Sequence, residues 1–527
     1  MNKNAIVVMF DSLQYNYVGC YGNDWIKTPN MDRFAREGVL FENAYTEGLP
    51  TVPCRRAMHT GRFSLPVRGW SALTLEETTI ADLCWGQGIE TAIIFDSGPY
   101  RLPKFGYNRG FDTSIFLHGH ENDANFYNRY PDPVEKPEDY IEDHIMRDAD
   151  AIAGCRLIDP IKQEISDYLR QRQFWKSPED RYCAKTFKKA IEWLRTVDRT
   201  QPFFLWIDSF DPHEPWDPPS VYLKQPCPYD PDYKGKDMFL PMLVEVEGIY
   251  TEEELHHVRM LYAELVTLCD VQFGRLLDAV RELGLEDNTM ILMVSDHGEP
   301  MGTGEHGHGI MRKIRPWPYE ELAHVPMLLR APGLPKGKRV KAFVQSCDVA
   351  PTVCEWLGLG VQSFHQGKSL LPLARGEAEK THEFAIAGYH KYSWSIITEE
   401  WSYIHWLKND AELNAADMFM DFYGKGVAET SEHIPAMENA PTWQNVTKLH
   451  KNFVNEEQRK YLEAASLDGE EQWTCTPGSE AKVPDQDELY CRKTDPKQLH
   501  NVIAEHPDVA RTMLQKLRNY MEELRAS

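Results

Sequence analysis

Three aspartates, Asp11, Asp208 and Asp296, each follow directly after a run of apolar residues. Such runs are typical of buried strands, so each carboxylate is expected where a strand ends. In mostly parallel sheets ligands bind beyond the carboxyl ends of the strands, which makes this edge the expected place for chemistry. His297 comes next to Asp296. Asp11, Asp296 and His297 together offer two hard oxygens and one imidazole, a set that suits a divalent metal ion.

The elements that must position these residues alternate between strand and helix over the first two-thirds of the chain. Thr28-Pro29 is typical of a helix start, and Gly284 ends a long helical pattern. The predicted strands cover residues 5–10, 91–95, 203–208 and 290–295, and the predicted helices lie after 28 and at about 76–87, 178–196 and 252–283. This alternation predicts a doubly wound, mostly parallel α/β sheet that helices cover on both faces. The segments 118–175 and 215–250, rich in aromatic residues, Pro and Asp, are predicted to be long loops over the site.

Beyond about residue 375 the pattern changes to short strands with tight breaks, which predicts an antiparallel sheet. These strands fall at 384–387, 395–398, 401–406 and 488–490, and an amphipathic helix from about 507 to 524 follows them. A polar stretch at roughly 409–480 interrupts the strands. We therefore predict a catalytic α/β domain over residues 1–375 and a smaller C-terminal α+β domain over residues 376–527.

Composition limits the classes of function. The chain has 527 residues, and a hydrophobic fraction of 42% is enough for a large core. The formal net charge of −24 argues against a nucleic-acid or membrane partner, although a bound metal would still let the site accept an anionic substrate. No apolar run approaches the roughly 20 residues of a membrane span. The strand pattern from residue 5 leaves no room for a signal peptide, and the 11 irregularly spaced cysteines are typical of reduced thiols, so we expect a cytoplasmic protein.

One segment, residues 51–62, carries the strongest resemblance to a known family. It reads Thr-Val-Pro-Cys-Arg-Arg-Ala-Met-His-Thr-Gly-Arg and resembles the sulfatase signature, in which a Cys or Ser is followed by any residue, Pro, Ser (or Ala or Cys) and Arg, with a Thr-Gly shortly after. Asp11, the Asp-Ser-Phe-Asp-Pro-His-Glu-Pro run at 208–215 and the Ser-Asp-His-Gly-Glu run at 295–299 stand in the same order as in that family. The resemblance spans nearly the whole chain, and it implies an alkaline-phosphatase-like fold.

Thr51 stands where the family has the Cys or Ser that is oxidised to formylglycine. Threonine cannot become that aldehyde, because its β-carbon already carries a methyl group, so no formylglycine is expected. If Thr51 acts, it acts as an alkoxide, which needs a metal or a base to form near neutral pH. The set of Asp11, Thr51, Asp296 and His297 resembles the single-metal centres of the threonine-nucleophile phosphoethanolamine and lipoteichoic-acid transferases in the same superfamily. A Cys54 nucleophile beside two arginines is a further alternative.

The resemblance also implies roles for three other residues. Arg55, one turn beyond Thr51, is expected to neutralise the developing oxyanion or to help hold the nucleophile. His213 is expected to protonate the leaving group or to contact the transferred group, and Lys313 to bind its non-bridging oxygens. Two of them have an ordinary alternative, since His213 could be a capped loop histidine and Lys313 could be part of a solvated basic run.

Departures from the family pattern bear on the metal and on the substrate. Ser12 stands where the family has a second Asp, so manganese or zinc is favoured, with calcium as an alternative. The segment 95–101 lacks the Lys and His that grip the sulfate in sulfatases. A sulfated threonine also has no exit by C–O cleavage, whereas a phosphorylated threonine can be released by in-line attack on phosphorus. Threonine thus favours phosphorus substrates.

We therefore predict a metal-dependent hydrolase that cleaves phosphate diesters, phosphonate monoesters or sulfate esters through a metal-activated Thr51. The alternatives are a sulfatase proper, a two-metal phosphodiesterase with Asp208, His213 and a further His in a second site, and a non-catalytic relative that binds anions. The expected partner is a small anionic ester, and a homo-oligomer is possible by analogy. The organic part of the substrate is left open.

Overall fold

The structure is a computed structural model that describes residues 2–74, 76–98, 105–120, 129–154, 156–313, 315–407 and 483–526. The polar stretch predicted at about 409–480 and the end of the segment 95–101 lie outside the described residues.

Strands and helices alternate along the described part of the chain. The strands are β1 Asn4–Phe10, β2 Val39–Tyr45, β3 Glu90–Phe95, β4 Thr113–Phe116, β5 Phe203–Ser209, β6 Val244–Glu245, β7 Thr289–Ser295, β8 Met301–Gly302, β9 Ile310–Met311, β10 Met327–Arg330, β11 Lys338–Gln345, β12 Ala385–Tyr389, β13 Ser393–Ile397, β14 Trp401–Trp406 and β15 Glu488–Cys491. The α-helices are α1 Pro29–Glu37, α2 Thr51–Thr60, α3 Ile80–Cys84, α4 Asp143–Ala153, α5 Ile158–Arg172, α6 Tyr182–Thr196, α7 Pro219–Tyr222, α8 Glu252–Glu282, α9 Glu320–Ala323, α10 Val349–Leu357, α11 Leu371–Arg375 and α12 Pro507–Ala526.

The main sheet has eight strands in the order β11-β2-β10-β7-β1-β5-β3-β4. Its pairs are parallel except those of β10 with β2 and β7. Every residue of β1, β5 and β7 is buried, because helices cover both faces of the sheet. One apolar core lies on the face covered by α6 and α8, and a second lies on the face covered by α2, α10 and α11. The predicted doubly wound, mostly parallel sheet is confirmed.

A smaller antiparallel sheet follows, in the order β12-β13-β14-β15. Apolar residues of α12, including Met513, Leu517 and Met521, pack with Ile396 and Leu489 of this sheet. The predicted C-terminal α+β unit is therefore present, while its boundary at residues 375 and 376 stays a prediction. No helix among the described residues is long and apolar enough to cross a membrane.

Two predictions need correction. The loop predicted at 118–175 contains α4 and α5, because Ile158, Ile161, Ile165 and Leu169 recur at helical spacing and are buried. The helix predicted at 76–87 is shorter, since Thr79 caps α3 by accepting a hydrogen bond from the Asp82 amide at 3.2 Å.

Candidate active site

The carboxyl ends of the central strands bring the three aspartates together. Phe10, the last residue of β1, pairs with Ser209 of β5 on one side and with Ser295 of β7 on the other. Asp11 and Asp296 therefore each lie one residue beyond the end of their strand, at the same level of the sheet. Met9 pairs with Asp208. Because side chains alternate along a strand, all three carboxylates point to the face on which α2 packs. All three are fully buried, as the predicted site at this edge requires.

Thr51 is the first residue of α2 and lies above these carboxylates. Its Oγ1 is 3.0 Å from Nε2 of His297, and the residue is only 4% exposed. The segment before it is held from the C-terminal sheet, since the Leu49 amide donates to the Gly388 carbonyl at 2.8 Å. The sequence-predicted nucleophile and metal ligands therefore meet in one buried place.

The ring of His297 is oriented for its Nε2 atom to bind a ligand. Its Nδ1 lies 2.7 Å from the Gly298 carbonyl oxygen and must donate to it, which leaves the lone pair on Nε2. Burial, helped by the positive charge of Lys313, lowers the pKa of His297 to about 3. The imidazole is thus neutral at physiological pH, the form in which histidine coordinates a metal.

The donor set fits one divalent ion. Ligand atoms of Asp11, Asp296 and His297 all lie within 4.8 Å of one another. One oxygen of Asp296 is already used, because its Oδ1 accepts from the Ser12 and His297 amides at 3.0 and 2.8 Å. Three carboxylates surround the single guanidinium of Arg55, so the ionised group carries a net charge of −2 that a divalent ion would balance.

Without a cation these carboxylates compete for protons. Burial and the charge of Asp11 raise the pKa of Asp296 well above its usual range. Burial acts on Asp11 as well, but Arg55 outweighs it and holds the pKa of Asp11 low. One of the pair therefore keeps a proton that a divalent ion would displace. We call Asp11, Asp208, Asp296, His297, Thr51 and Arg55 the aspartate cluster.

Arg55 lies inside this cluster rather than beside it. Its Nη2 is 2.9 Å from both Asp11 Oδ2 and Asp208 Oδ1, and its Nη1 contacts Asp296 Oδ2. Nη1 is also 3.5 Å from the carbonyl oxygen of Thr51. Of the two roles that the resemblance implied, these contacts favour holding the nucleophile and its carboxylates.

A second group of ligand-type side chains lies next to the aspartate cluster. His213, Glu214 and Glu299 are buried, and their ligand atoms also lie within 4.8 Å of one another. The ammonium group of Lys313 stands among them, in contact with Glu299 Oε2, 3.2 Å from His213 Nε2 and 3.8 Å from Glu214 Oε2. We call these four residues the lysine cluster. It touches the aspartate cluster through Ser12, whose Oγ is 3.4 Å from Lys313 Nζ and 2.9 Å from Asp11 Oδ1.

Protonation states in the lysine cluster follow from burial and neighbours. Burial opposes the charge on Lys313, but Glu214 and Glu299 outweigh it and raise the pKa of the ammonium. Burial lowers the pKa of His213 to about 4 although Glu214 opposes the shift. His213 Nδ1 donates to the Glu214 carbonyl at 2.8 Å, so its Nε2 accepts from Lys313. Lys313 is thus the proton-bearing member, and His213 is held neutral beside it.

Cys54 is engaged elsewhere. Its thiol donates to the Gly48 carbonyl at 2.7 Å and accepts from Thr46 Oγ1 at 2.8 Å. Burial raises the pKa of this thiol well above its usual range. A buried, protonated and hydrogen-bonded thiol is a poor nucleophile, so the contacts favour Thr51 over Cys54.

Sequence reasoning missed three participants. Asp208 was placed at the sheet edge but not beside Arg55, and Glu214 and Glu299 were not assigned as partners of Lys313. A signal for the glutamates was present, because each stands inside a site motif: Glu214 follows His213, and Glu299 lies two residues after His297.

Two protein-family models and several known proteins match this chain. A family model described as Sulfatase matches residues 3–359, and one described as N-sulphoglucosamine sulphohydrolase, C-terminal, matches residues 304–425. An arylsulfatase of Clostridium perfringens is 28% identical over 74% of this chain and 82% of that protein. An N-acetylglucosamine-6-O-sulfatase of Bacteroides thetaiotaomicron is 25% identical over 79% of this chain and 81% of its own length.

The solved structure of a phosphonate monoester hydrolase of Agrobacterium radiobacter has the same fold. The two chains superpose with a TM-score of 0.65 at 20% identity, over 99% of this chain and 95% of that one. This likeness confirms the alkaline-phosphatase-like fold that the motifs implied.

Proposed function

Because this chain belongs to the sulfatase family and is a hydrolase acting on ester bonds, we propose that it cleaves phosphate diesters, phosphonate monoesters or sulfate esters through Thr51, with one divalent metal ion. The observation that carries the proposal is the convergence of Thr51 Oγ1 and His297 Nε2, 3.0 Å apart, on the carboxylates of Asp11 and Asp296.

A metal bound by Asp11, Asp296, His297 and Thr51 would supply a Lewis acid that lowers the pKa of the threonine hydroxyl and attracts an anionic ester. The four donors, three oxygens and one nitrogen, suit manganese or zinc, and calcium stays an alternative. Arg55 and Asp208 would keep the carboxylates in place, so that their arrangement costs no reorganisation during the reaction.

The reaction that we propose has two displacements. Thr51 first gives up its hydroxyl proton to solvent. The bond from Thr51 Oγ1 to phosphorus or sulfur then forms while the bond to the leaving oxygen breaks. Lys313, which is held protonated, donates to the non-bridging oxygens, and the proton it shares with His213 Nε2 is available to the leaving oxygen. In the second displacement the oxygen of a water molecule bonds to phosphorus or sulfur while the bond to Thr51 Oγ1 breaks, one water proton returns to Lys313, and the acid is released.

One metal ion suits this site better than two. The lysine cluster contains the ligand-type residues of a second site, but Lys313 already places a positive charge among them. This arrangement supports the single-metal hydrolase over the two-metal phosphodiesterase. The cytoplasmic location and the homo-oligomer stay predictions from the sequence.

Substrate choice between phosphorus and sulfur rests on the chemistry of threonine. A Thr51 sulfate must be hydrolysed at sulfur, whereas a Thr51 phosphate or phosphonate is open to in-line attack at phosphorus with cations on either side. We therefore place phosphate diesters and phosphonate monoesters ahead of sulfate esters.

The test is kcat/KM for one leaving group presented as sulfate monoester, phosphate diester and phosphonate monoester, on manganese-loaded protein. We expect the phosphorus esters to be preferred and kcat to fall about 10³-fold or more in Thr51→Ala, the loss typical of a removed nucleophile. Thr51→Ser, which keeps the hydroxyl, should retain far more activity. A sulfate preference would overturn the ranking of substrates, and a Thr51→Ala enzyme as active as the wild type would overturn the nucleophile.

A further inference from the structure

The C-terminal sheet reaches the nucleophile through the last residue of β12, Tyr389. The Leu49 amide donates to the Gly388 carbonyl at 2.8 Å, and Leu49 and Tyr389 form a parallel bridge. Leu49 stands two residues before Thr51. The ring of Tyr389 packs with Leu49 and Cys54. A residue of the second sheet is thus fixed beside the segment that carries Thr51.

The hydroxyl of Tyr389 is buried and has no hydrogen-bond partner among the described residues, although the residue is only 5% exposed. A buried tyrosine hydroxyl usually finds a partner, because leaving it unpaired costs free energy. Tyr389 belongs to the same apolar cluster as Leu322, whose carbonyl oxygen accepts from the Gly298 amide at 2.8 Å, so the residue before Glu299 lies against this cluster. Burial and the charge of Glu299 raise the pKa of this phenol, in agreement with that placement.

One carboxylate oxygen of Glu299 also lacks a hydrogen-bond partner among the described residues. Its Oε2 contacts Lys313, whereas its Oε1 has no hydrogen-bond partner among the described residues. The residue is fully buried. An unpaired hydroxyl and an unpaired carboxylate oxygen therefore belong to neighbouring segments, and Glu299 also contacts Lys313, the residue predicted to bind the non-bridging oxygens of the transferred group.

We propose that Tyr389 and Glu299 bind a hydroxyl group on the organic part of the substrate, close to the ester oxygen. A hydroxyl both donates and accepts, so it can donate to Glu299 Oε1 and accept from Tyr389 Oη, which satisfies both atoms at once. A plain aryl or alkyl group would leave both unpaired, and a site built to bond a hydroxyl discriminates strongly against analogues that lack it. The inference rests on the proposed function and adds a substrate class to it: esters of alcohols or phenols that carry a second hydroxyl.

The experiment compares two leaving groups that differ by one adjacent hydroxyl, 4-nitrocatechol and 4-nitrophenol, as esters of the acid that the wild type cleaves best. The quantity is the ratio of their kcat/KM values. In Tyr389→Phe we expect this ratio to fall about 10-fold, the effect of one lost hydrogen bond to substrate, with 4-nitrophenyl ester turnover little changed. Tyr403→Phe is the matched control, because its hydroxyl lies on β14 of the same sheet and donates to Asp487 at 2.5 Å.

Stability provides a second readout. Tyr389→Phe keeps the ring and removes only an unpaired buried hydroxyl, so its free energy of unfolding should equal or exceed that of the wild type. A clear loss of stability would show that the hydroxyl has a structural partner and would overturn the proposal, as would an unchanged ratio of kcat/KM.

Failure of the proposed function gives a different result. If the wild type cleaves neither ester, hydrolysis at Thr51 is wrong, but the inference can still be tested by calorimetric binding of 4-nitrocatechol sulfate and 4-nitrophenyl sulfate to Thr51→Ala. A preference for the catechol ester that Tyr389→Phe abolishes in this background supports the contact. Equal binding by both proteins overturns it.

Discussion

The aspartate cluster and the lysine cluster are neighbours with similar side chains and opposite electrostatics. Each is buried, and each offers at least three ligand-type residues within 4.8 Å. In the aspartate cluster three carboxylates share one guanidinium. In the lysine cluster two carboxylates, Glu214 and Glu299, meet two cations, Lys313 and Arg312, whose Nε lies 2.5 Å from Glu214 Oε1.

The difference teaches that spacing alone does not define a metal centre. With its carboxylates ionised, the aspartate cluster has a deficit of two positive charges, whereas the lysine cluster taken together with Arg312 is neutral. Burial raises the pKa of Glu299 to about 8 although Lys313 opposes the shift, and a protonated Glu299 would make the lysine cluster and Arg312 together positive. In either state they have no excess negative charge to attract a second cation.

The largest expected effect comes from removing one charge from each cluster. Asp296→Asn should weaken manganese binding at least about 100-fold, more than outer contacts of a metal site usually contribute, and abolish turnover. Glu299→Gln, the matched change in the lysine cluster, should still bind about one manganese per chain. The measurement is metal content after dialysis, by atomic emission. Equal losses in both variants would show that the clusters form one site.

Removing the ammonium group of Lys313 tests whether its charge keeps a metal ion out of the lysine cluster. Lys313→Met leaves the ligand atoms of His213, Glu214 and Glu299 without the ammonium between them. We expect metal content to rise above one per chain at millimolar manganese, while turnover falls because the cation that contacts substrate oxygens is lost. A titration followed by calorimetry measures the second, weaker equivalent. A variant that still binds one metal would mean that charge does not keep the second site closed.

A smaller effect is expected on stability at acidic pH. The pKa of His213 is about 4 in the folded protein, below its ordinary value of 6.5, because of burial. The unfolded chain therefore binds a proton first as pH falls, so stability is full above pH 6.5 and is lost as pH falls toward 4. Between pH 7 and 5 this amounts to about 2 kcal/mol.

His213→Gln should lack this contribution. Its free energy of unfolding in urea, measured with saturating manganese, should decline less than that of the wild type over the same pH interval. Parallel declines would contradict a neutral, buried His213 and would place the acid sensitivity elsewhere.

The fold and the aspartate cluster could be predicted from sequence because short-range patterns encode them. The all-apolar runs of β1, β5 and β7 identify buried parallel strands, and their common polarity forces Asp11 and Asp296 to one edge. A sequence motif identified Thr51 and Arg55 as site residues. Because they are one helical turn apart, their side chains lie on the same face of α2.

The lysine cluster could not be predicted in the same way, since its contacts depend on where loops turn. Lys313 follows β9, and its meeting with Glu214, about a hundred residues earlier, is set by tertiary packing alone. The position of Tyr389 depends on how the C-terminal sheet packs against the main sheet, and no local sequence pattern predicts that packing. The helices at 143–153 and 158–172 were missed for another reason, because the aromatic and Pro-rich residues at 118–142 led the whole segment to be predicted as a loop.

Lys313 also gives the lysine cluster a positive charge that does not depend on the availability of metal ions. A free ion binds according to its concentration in the surroundings and can be removed by a chelator, whereas a tethered ammonium is present at every copy of the folded chain. In the enzyme that we propose, metal scarcity would therefore empty the aspartate cluster and leave the lysine cluster intact. One equivalent of metal ion per chain would then be enough to restore activity.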